Sequence, residues 1–311
     1  MPRFIGSPVW AVLLLALAAS LLVACGGDDD ASTADSTGAK ATPTPTLAVR
    51  DRPPGPEDAV TPGPTAQPGT RLLYLALGDS LSAGIGATDP LSGGWVPLVG
   101  DALGYEVLNL GIPGDDSAEL LNEGSLDEGL IEIESRAADA DPANDVGVIT
   151  LEIGGNDLLD IYFDLVIPGD CPSVVESLER PECVAALDEA LIEYRENLVQ
   201  ILARLQAAAG DTPIFLMTLY NPFSGGASHV DQIGVLALEG EDGTPFPEGL
   251  NDVIRREAAE AGVTLVEWYP LFAGKQSQYI ADDFIHPNDA GYRAMADALI
   301  AAMAQAGLPV R

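Results

Sequence analysis

Beyond residue 70, the pattern of apolar and polar positions changes its period repeatedly. Short apolar runs occur at residues 72–77, 106–110, 146–151, 213–219 and 263–268. Turn-forming residues such as Gly, Pro, Asn and Asp follow several of these runs. A short, nearly continuous apolar run with such boundaries is typical of a strand buried on both faces. The pattern therefore predicts five buried strands.

Helical periodicity occupies much of the sequence between these runs. The longest stretch, residues 183–208, carries Leu187, Leu191 and Leu198 among apolar positions that recur at three- and four-residue steps. Similar patterns cover residues 94–103, 117–122, 126–138, 250–261 and 288–306. Strands that alternate with helices predict a three-layer α/β/α domain with a five-stranded parallel sheet. In such a sheet the carboxyl ends of the strands share one edge, where functional sites form.

The first 70 residues have a different character. Residues 1–24 combine Arg3 with an apolar, Ala-rich run, which predicts a signal peptide. Residues 22–25, Leu-Val-Ala-Cys, resemble a bacterial lipobox, which implies a lipidated Cys25 on an exported protein anchored to the cell membrane. An ordinary secretory signal with an incidental cysteine is the alternative. Residues 25–70 form a Pro/Thr/Gly-rich segment that we expect to be a disordered tether, followed by the folded domain at residues 71–311.

The two remaining cysteines are Cys171 and Cys183, twelve positions apart. In an exported protein such a pair predicts a disulfide. A closed loop of this size contributes about 3 kcal/mol of stability in the chain-entropy model. The chain has only two histidines, neither near these cysteines, so no zinc site is expected.

The net charge of −34, from 48 acids and 14 bases, limits the possible partners. Binding of nucleic acid depends on Lys and Arg that neutralise phosphates, so no nucleic-acid partner is expected. Anionic lipid head groups should be repelled for the same reason.

Four polar or glycine-rich segments follow predicted strands or lie near the end of the domain. They are residues 78–84 (Gly-Asp-Ser-Leu-Ser-Ala-Gly), 109–114 (Asn-Leu-Gly-Ile-Pro-Gly), 152–157 (Glu-Ile-Gly-Gly-Asn-Asp) and 283–288 (Asp-Phe-Ile-His-Pro-Asn). In this order they resemble the sequence blocks of the SGNH, or GDSL-type, serine hydrolases over about residues 71–306. The resemblance implies the flavodoxin-like SGNH fold and the activity of a serine ester hydrolase.

The resemblance also assigns a catalytic triad. Ser80 corresponds to the nucleophile and His286 to the base that removes its proton, a serine hydroxyl being a poor nucleophile alone. Asp283 would hold the imidazole and stabilise the imidazolium. Its neighbour Asp282 competes for this role, and the family spacing selects Asp283. Asp79, which precedes the nucleophile, is expected to be a turn or capping residue.

Three oxyanion-hole donors follow from the resemblance: the backbone N–H groups of Ser80 and Gly111 and the side-chain amide of Asn156. Gly111 could instead be an ordinary turn glycine, and Asn156 could be a helix N-cap. No metal-binding motif, phosphate loop or dinucleotide fingerprint occurs, so no metal or cofactor is expected.

These inferences predict hydrolysis of a carboxylic acyl ester through an acyl-enzyme on Ser80. The substrate is either an acyl lipid or lysophospholipid, or an O-acyl group of a glycan. The alternatives are a non-catalytic ligand-binding lipoprotein with the same fold and an acyltransferase. A monomer is expected. Residues 158–183 and 220–249 are interpreted as long loops that shape substrate choice.

Overall fold

The computed structural model describes residues 71–139, 141–225 and 228–311. The expected signal peptide, the lipidated Cys25 and the tether up to residue 70 lie outside the described residues.

The described residues form a five-stranded parallel sheet, which confirms the predicted fold class. Its strands are β1 (Leu73–Gly78), β2 (Glu106–Gly111), β3 (Val146–Glu152), β4 (Ile214–Met217) and β5 (Thr264–Val266). Their order in the sheet is β2-β1-β3-β4-β5. All four pairings are parallel, so the five carboxyl ends lie along one edge.

Helices cover both faces of the sheet. The helices before β4 are α1 (Ser80–Ala83), α2 (Pro90–Gly93), α3 (Trp95–Leu103), α4 (Ser117–Asn122), α5 (Ser125–Asp139), α6 (Gly155–Ile161), α7 (Val174–Leu178) and α8 (Pro181–Ala209). Those after β4 are α9 (His229–Glu239), α10 (Leu250–Ala261), α11 (Tyr269–Phe272), α12 (Gln276–Tyr279) and α13 (Asp289–Gln305). No helix of the described residues is long and apolar enough to cross a lipid bilayer.

Alternation along β1 divides the core into two layers. Leu73, Leu75 and Leu77 point to one face, where they join a cluster supplied by α4, α5, α8 and α10. Tyr74 and Ala76 point to the other face, where α3, α11 and α13 supply the cluster. A strand that buries both of its faces must be apolar throughout, which is why residues 72–77 show no alternation in the sequence.

The prediction of five buried strands is wrong for the two edge strands. Glu106, Val107 and Asn109 of β2 are exposed, and Thr264 of β5 is exposed as well. Each of these strands has a neighbour on one side only, so part of its surface meets solvent. An apolar run predicts a strand, but it does not tell a central strand from an edge strand.

Segments interpreted as loops contain helices. Residues 158–183 include most of α6, a π-helical turn (Tyr162–Val166) and α7, while residues 220–249 include α9. Three apolar side chains, Leu187, Leu236 and Phe246, form a small third core beneath these elements. The predicted disulfide between Cys171 and Cys183 is present and ties the segment before α7 to the start of α8.

Candidate active site

Three of the four segments singled out in the sequence meet at the ends of neighbouring strands. In the register of the sheet, Gly78 pairs with Gly111 on one side and with Glu152 on the other. Gly78 has φ of +153°, and a Cβ added there would lie 2.2 Å from the carbonyl oxygen of Glu152. Only glycine permits this approach, which brings the three segments into contact behind the turn that follows β1.

Ser80 is the first residue of α1, directly after this turn. Asp79 is the N-cap of the helix: its Oδ1 accepts a hydrogen bond of 2.9 Å from the N–H of Leu81. The helix is short, and its next residue, Leu81, is buried against the core. The cap and the buried leucine fix the backbone that presents the Ser80 hydroxyl at the sheet edge.

The fourth segment brings a histidine and a carboxylate to this serine. His286 Nε2 lies 2.9 Å from Ser80 Oγ, and His286 Nδ1 lies 2.6 Å from Asp283 Oδ2. An ionised carboxylate only accepts hydrogen bonds, so Nδ1 donates to Asp283. In the neutral ring Nε2 is then the acceptor for the Ser80 hydroxyl.

Backbone contacts shape the loop that carries His286. Residues Ile280 and Pro287 form an isolated antiparallel bridge, and the N–H of Ala281 donates to the carbonyl of His286. The Tyr220 hydroxyl donates to the carbonyl of Ile285 over 2.7 Å. The loop is therefore tied both to itself and to the segment after β4.

The electrostatic setting of Asp283 favours its charged form. Partial burial opposes ionisation, but hydrogen bonds from the N–H groups of Ile285 and His286 and from the His286 ring outweigh it. The pKa of Asp283 therefore lies below its usual value. The competing acid, Asp282, is exposed, and it is the Asp283 carboxylate that reaches the imidazole.

The expected oxyanion donors lie at the same edge, and two of them are engaged within the protein. The Gly111 N–H donates to Asn109 Oδ1 over 3.0 Å. The Asn156 amide donates to the carbonyl of Asp115 over 2.8 Å. A Cβ added to Gly111 would lie 2.6 Å from the Cβ of Ser82, so this glycine permits close packing of the β2 end on α1. Gly154 is the N-cap of α6, so the N-cap alternative for Asn156 is wrong.

Buried carboxyl groups surround these residues, and the sequence analysis assigned them no role in catalysis. Asp79 and Glu152 are almost completely buried behind Ser80. Asp157 accepts hydrogen bonds from both the N–H and the hydroxyl of Ser117, yet burial raises its pKa to about 6. The signal that could have singled out Glu152 is its position, because an acid at the end of an apolar strand has no water to solvate it.

A cavity opens beside the serine and histidine. It runs from Ser80, Asn156 and His286 beneath the helices of residues 155–187 and 229–246. Its walls are almost entirely apolar, and the Cys171–Cys183 disulfide contributes to them. The segments that were interpreted as substrate-binding loops therefore form a helical cap over this cavity.

A serine hydroxyl, an imidazole and a carboxylate in one hydrogen-bonded chain can perform nucleophilic acyl transfer. Among residues 71–139, 141–225 and 228–311, no three His, Cys, Asp or Glu side chains gather as a metal site would require.

The GDSL-like Lipase/Acylhydrolase family matches residues 76–294, which is more than half of the chain, so the chain belongs to this family. The spore germination lipase LipC of Bacillus licheniformis is 26% identical over 241 residues, covering 74% of this chain and 96% of that protein. The goat-rumen metagenome lipase Lip_vut3 has a TM-score of 0.51 at 23% identity, covering 74% of this chain and 97% of its own. The acetyl xylan esterase Axe2 of Geobacillus stearothermophilus has a TM-score of 0.51 at 18% identity, covering 78% and 98%.

Proposed function

We propose that this acylhydrolase cleaves carboxylic esters through an acyl-enzyme on Ser80. The observation that carries the proposal is the chain of hydrogen bonds from Ser80 through His286 to Asp283 at the mouth of an apolar cavity. His286 Nε2 takes the hydroxyl proton as Ser80 Oγ attacks the ester carbonyl. Asp283 stabilises the imidazolium, which then protonates the departing alcohol. Water, activated by the same imidazole, releases the acid and restores the serine.

The attack places negative charge on the carbonyl oxygen, and the proposed donors are the N–H of Ser80, the N–H of Gly111 and the amide of Asn156. Within the protein, Gly111 donates to Asn109, and Asn156 donates to the Asp115 carbonyl. Gly111 must share its N–H with the oxyanion, or turn it away from Asn109, as substrate binds. The second amide hydrogen of Asn156 makes a long contact of 3.4 Å to Asp79 Oδ2, and it must share that contact with the oxyanion or give it up.

On the acyl side, the apolar cavity favours an aliphatic chain over the acetyl group of a glycan ester. Each methylene moved from water into such a cavity gains about 0.8 kcal/mol, which is roughly a fourfold change in binding. An acetyl group leaves most of the cavity unfilled and gains little from it. We therefore favour the lipid or lysophospholipid type of substrate over the O-acyl glycan.

The test uses p-nitrophenyl esters from acetyl to palmitoyl with the disulfide-intact chain. Ser80→Ala, which removes the nucleophile, should abolish turnover on every ester while circular dichroism and melting stay unchanged. In the wild type, kcat/KM should rise several-fold for each added methylene until the cavity is full. Serine-independent turnover would refute the mechanism.

A matched pair of variants tests the cavity itself. Ala237 lines it from α9, whereas Ala185 is exposed on α8. Ala237→Trp should shift the preferred ester to a shorter chain and spare acetyl turnover, and Ala185→Trp should leave the whole profile as it is. A Ser80-dependent enzyme that prefers acetyl, and ignores both substitutions, would favour the glycan ester.

The two alternative functions are distinguished by the same assays. An acyltransferase would pass the acyl group to an added alcohol faster than to water. A non-catalytic binding protein would retain fatty acid in the cavity and give no serine-dependent turnover on any chain length.

We also propose that Cys25 is lipidated and holds the protein on the outer side of the cell membrane. The support is the lipobox-like segment at residues 22–25 and the polar tether after it. Radiolabelled palmitate should enter the full chain in a bacterial host and should not enter Cys25→Ser. Equal labelling of both would place the lipid elsewhere, and labelling of neither would leave a secreted protein.

A further inference from the structure

Glu152 occupies an unusual place behind the proposed nucleophile. It ends β3, pairs with Gly78 in the sheet, and its side chain is fully buried. Among the described residues, no N–H or O–H group donates a hydrogen bond to either Oε atom. A carboxylate that is removed from water and receives no donor is strongly destabilised, so the carboxyl group retains its proton.

Three neighbouring tyrosines do not supply the missing donor. Three phenols, Tyr194, Tyr220 and Tyr292, lie close enough to interact electrostatically with Glu152. Their hydroxyls donate to the backbone carbonyls of Ile153, Ile285 and Ile85, respectively. Glu152 therefore has no donor among the described residues that would stabilise a charge, and the neighbouring Asp79 side chain, which interacts with it, is the acceptor available to its carboxyl proton.

Asp79 has the surroundings of a carboxylate. Its Oδ1 accepts the N–H of Leu81 and its Oδ2 lies 3.4 Å from the amide nitrogen of Asn156. Burial raises its pKa, but the Leu81 N–H and the Glu152 side chain stabilise the charged form. The remaining charges that act on it, Asp157 and Asp115, are also carboxyls. Burial raises the pKa of Asp79 only to about 7, whereas that of Glu152 lies well above its usual value, so Asp79 ionises first and Glu152 retains the proton.

We propose that Glu152 is a positioning residue: its proton, donated to Asp79, fixes the cap of the nucleophile helix and limits the buried pair to one negative charge. Asp79 touches both the first turn of α1, which carries Ser80, and the amide of Asn156. A second negative charge in the pair would lie behind the proposed oxyanion donors and oppose the charge that develops there. The expected effect on kcat rests on the proposed function, whereas the assignment of the proton to Glu152 does not.

Two substitutions separate the proton from the shape of the side chain. In Glu152→Gln the amide can donate to Asp79 in place of the carboxyl, and it has no proton to release. Most of the wild-type kcat should therefore remain. Glu152→Met is apolar and has no donor, and its kcat should fall about tenfold to a hundredfold with KM little changed, less than the loss of a whole oxyanion donor. An unchanged kcat in a folded Glu152→Met protein would overturn the positioning role.

The pH profile provides a readout that a purely structural role would not move. When the wild-type pair releases its proton at alkaline pH, kcat should fall, and Glu152→Gln should not show this fall. Identical alkaline profiles would overturn the proposal. The control is Glu257→Gln, which makes the same change at a buried glutamate that accepts hydrogen bonds from Arg195 and Arg256 and does not line the cavity.

Infrared spectroscopy tests the proton without any activity. At pH 8, where Asp79, Asp115 and Asp157 are mostly ionised, the wild-type spectrum should contain the carbonyl band of a protonated carboxylic acid. The band should be missing from Glu152→Gln and present in Glu257→Gln. Absence of such a band in the wild type would overturn the proposal even if Glu152→Met failed to fold. Because this result needs no substrate, it separates failure of the proton assignment from failure of the proposed esterase activity.

Discussion

Replacing Glu152 by glutamine should change how the stability of the fold depends on pH. Burial raises the pKa of Glu152 well above its ordinary value of 4.5, and the charge of Asp79 raises it further. Below pH 4.5 both the folded and the unfolded chain hold the proton, so Glu152 does not make the free energy of unfolding depend on pH. Above it the unfolded chain releases the proton and the folded chain retains it. The free energy of unfolding of the wild type therefore falls as pH rises toward the folded-state pKa.

The size of this effect follows from linkage. One proton bound only by the folded state lowers the free energy of unfolding by about 1.4 kcal/mol for each pH unit. From the ordinary value of 4.5 to pH 7 the loss amounts to about 3 kcal/mol. Glutamine has no proton to retain, so Glu152→Gln lacks this loss. Asp79, whose pKa is raised to about 7, also titrates in this range, but the glutamine amide offers it a donor as the Glu152 carboxyl does. Its contribution, like those of Asp157 and Asp115, therefore largely cancels in the difference.

The assay is urea unfolding of wild type and Glu152→Gln at pH 5, 6 and 7, with the disulfide intact. A difference in the free energy of unfolding that is the same at each pH shows how well the amide fits in place of the carboxyl. A difference that changes with pH shows that the folded wild type retains a proton at Glu152. Glu257→Gln, the same change at a buried glutamate that accepts from Arg195 and Arg256, is the control for the substitution itself. A pH-independent difference for Glu152→Gln would refute the argument that this carboxyl is protonated in the folded protein.

Three further changes test the neighbouring parts of the site. Asp283→Asn should keep the fold and lower kcat by about 10⁴-fold, because an amide no longer holds the reactive imidazole tautomer; stopped assays on acetyl ester measure this. Asn156→Ala should lower kcat by about 10²–10³-fold with a smaller change in KM, as expected for a group that acts on the transition state. Changing both Cys171 and Cys183 to Ser should reduce the free energy of unfolding by about 3 kcal/mol. Because both line the cavity, long-chain esters should lose more activity than acetyl ester in that variant.

Most of the fold could be predicted from the sequence because the buried strands of a parallel sheet have a simple apolar pattern. A strand covered on both faces must be apolar at every position, and Leu73–Gly78 is buried throughout. The burial of the edge strands could not be predicted from the same pattern, since Val107 and Leu265 are apolar but only partly covered. The helix His229–Glu239 could not be distinguished from a loop, because its neighbours are rich in glycine and its buried face consists of few residues.

The triad geometry could be anticipated because each group follows an element whose position is set by topology. Ser80 follows a central strand, and the resemblance supplied Asp283 and His286. The helical cap over the cavity could not be anticipated in the same way. Its helices pack on one another through the small core of Leu187, Leu236 and Phe246, residues distant in sequence with no shared periodicity. Contacts of that kind are decided by tertiary packing and not by local pattern.

The same distinction explains why Glu152 was overlooked although it stands in a segment that was singled out. The sequence shows that an acid ends an apolar strand, but not that the hydroxyls of Tyr194 and Tyr220 donate to backbone carbonyls and leave Glu152 without a donor in the described part of the chain. Glu152 keeps its proton because no group among the described residues donates a hydrogen bond to it, and a missing donor leaves no signal in the sequence. The family motif gives the groups that react. The charge of the buried pair behind them depends on the contacts of each carboxyl. Asp79 accepts the N–H of Leu81, whereas the buried Glu152 receives no donor from the residues described and keeps its proton.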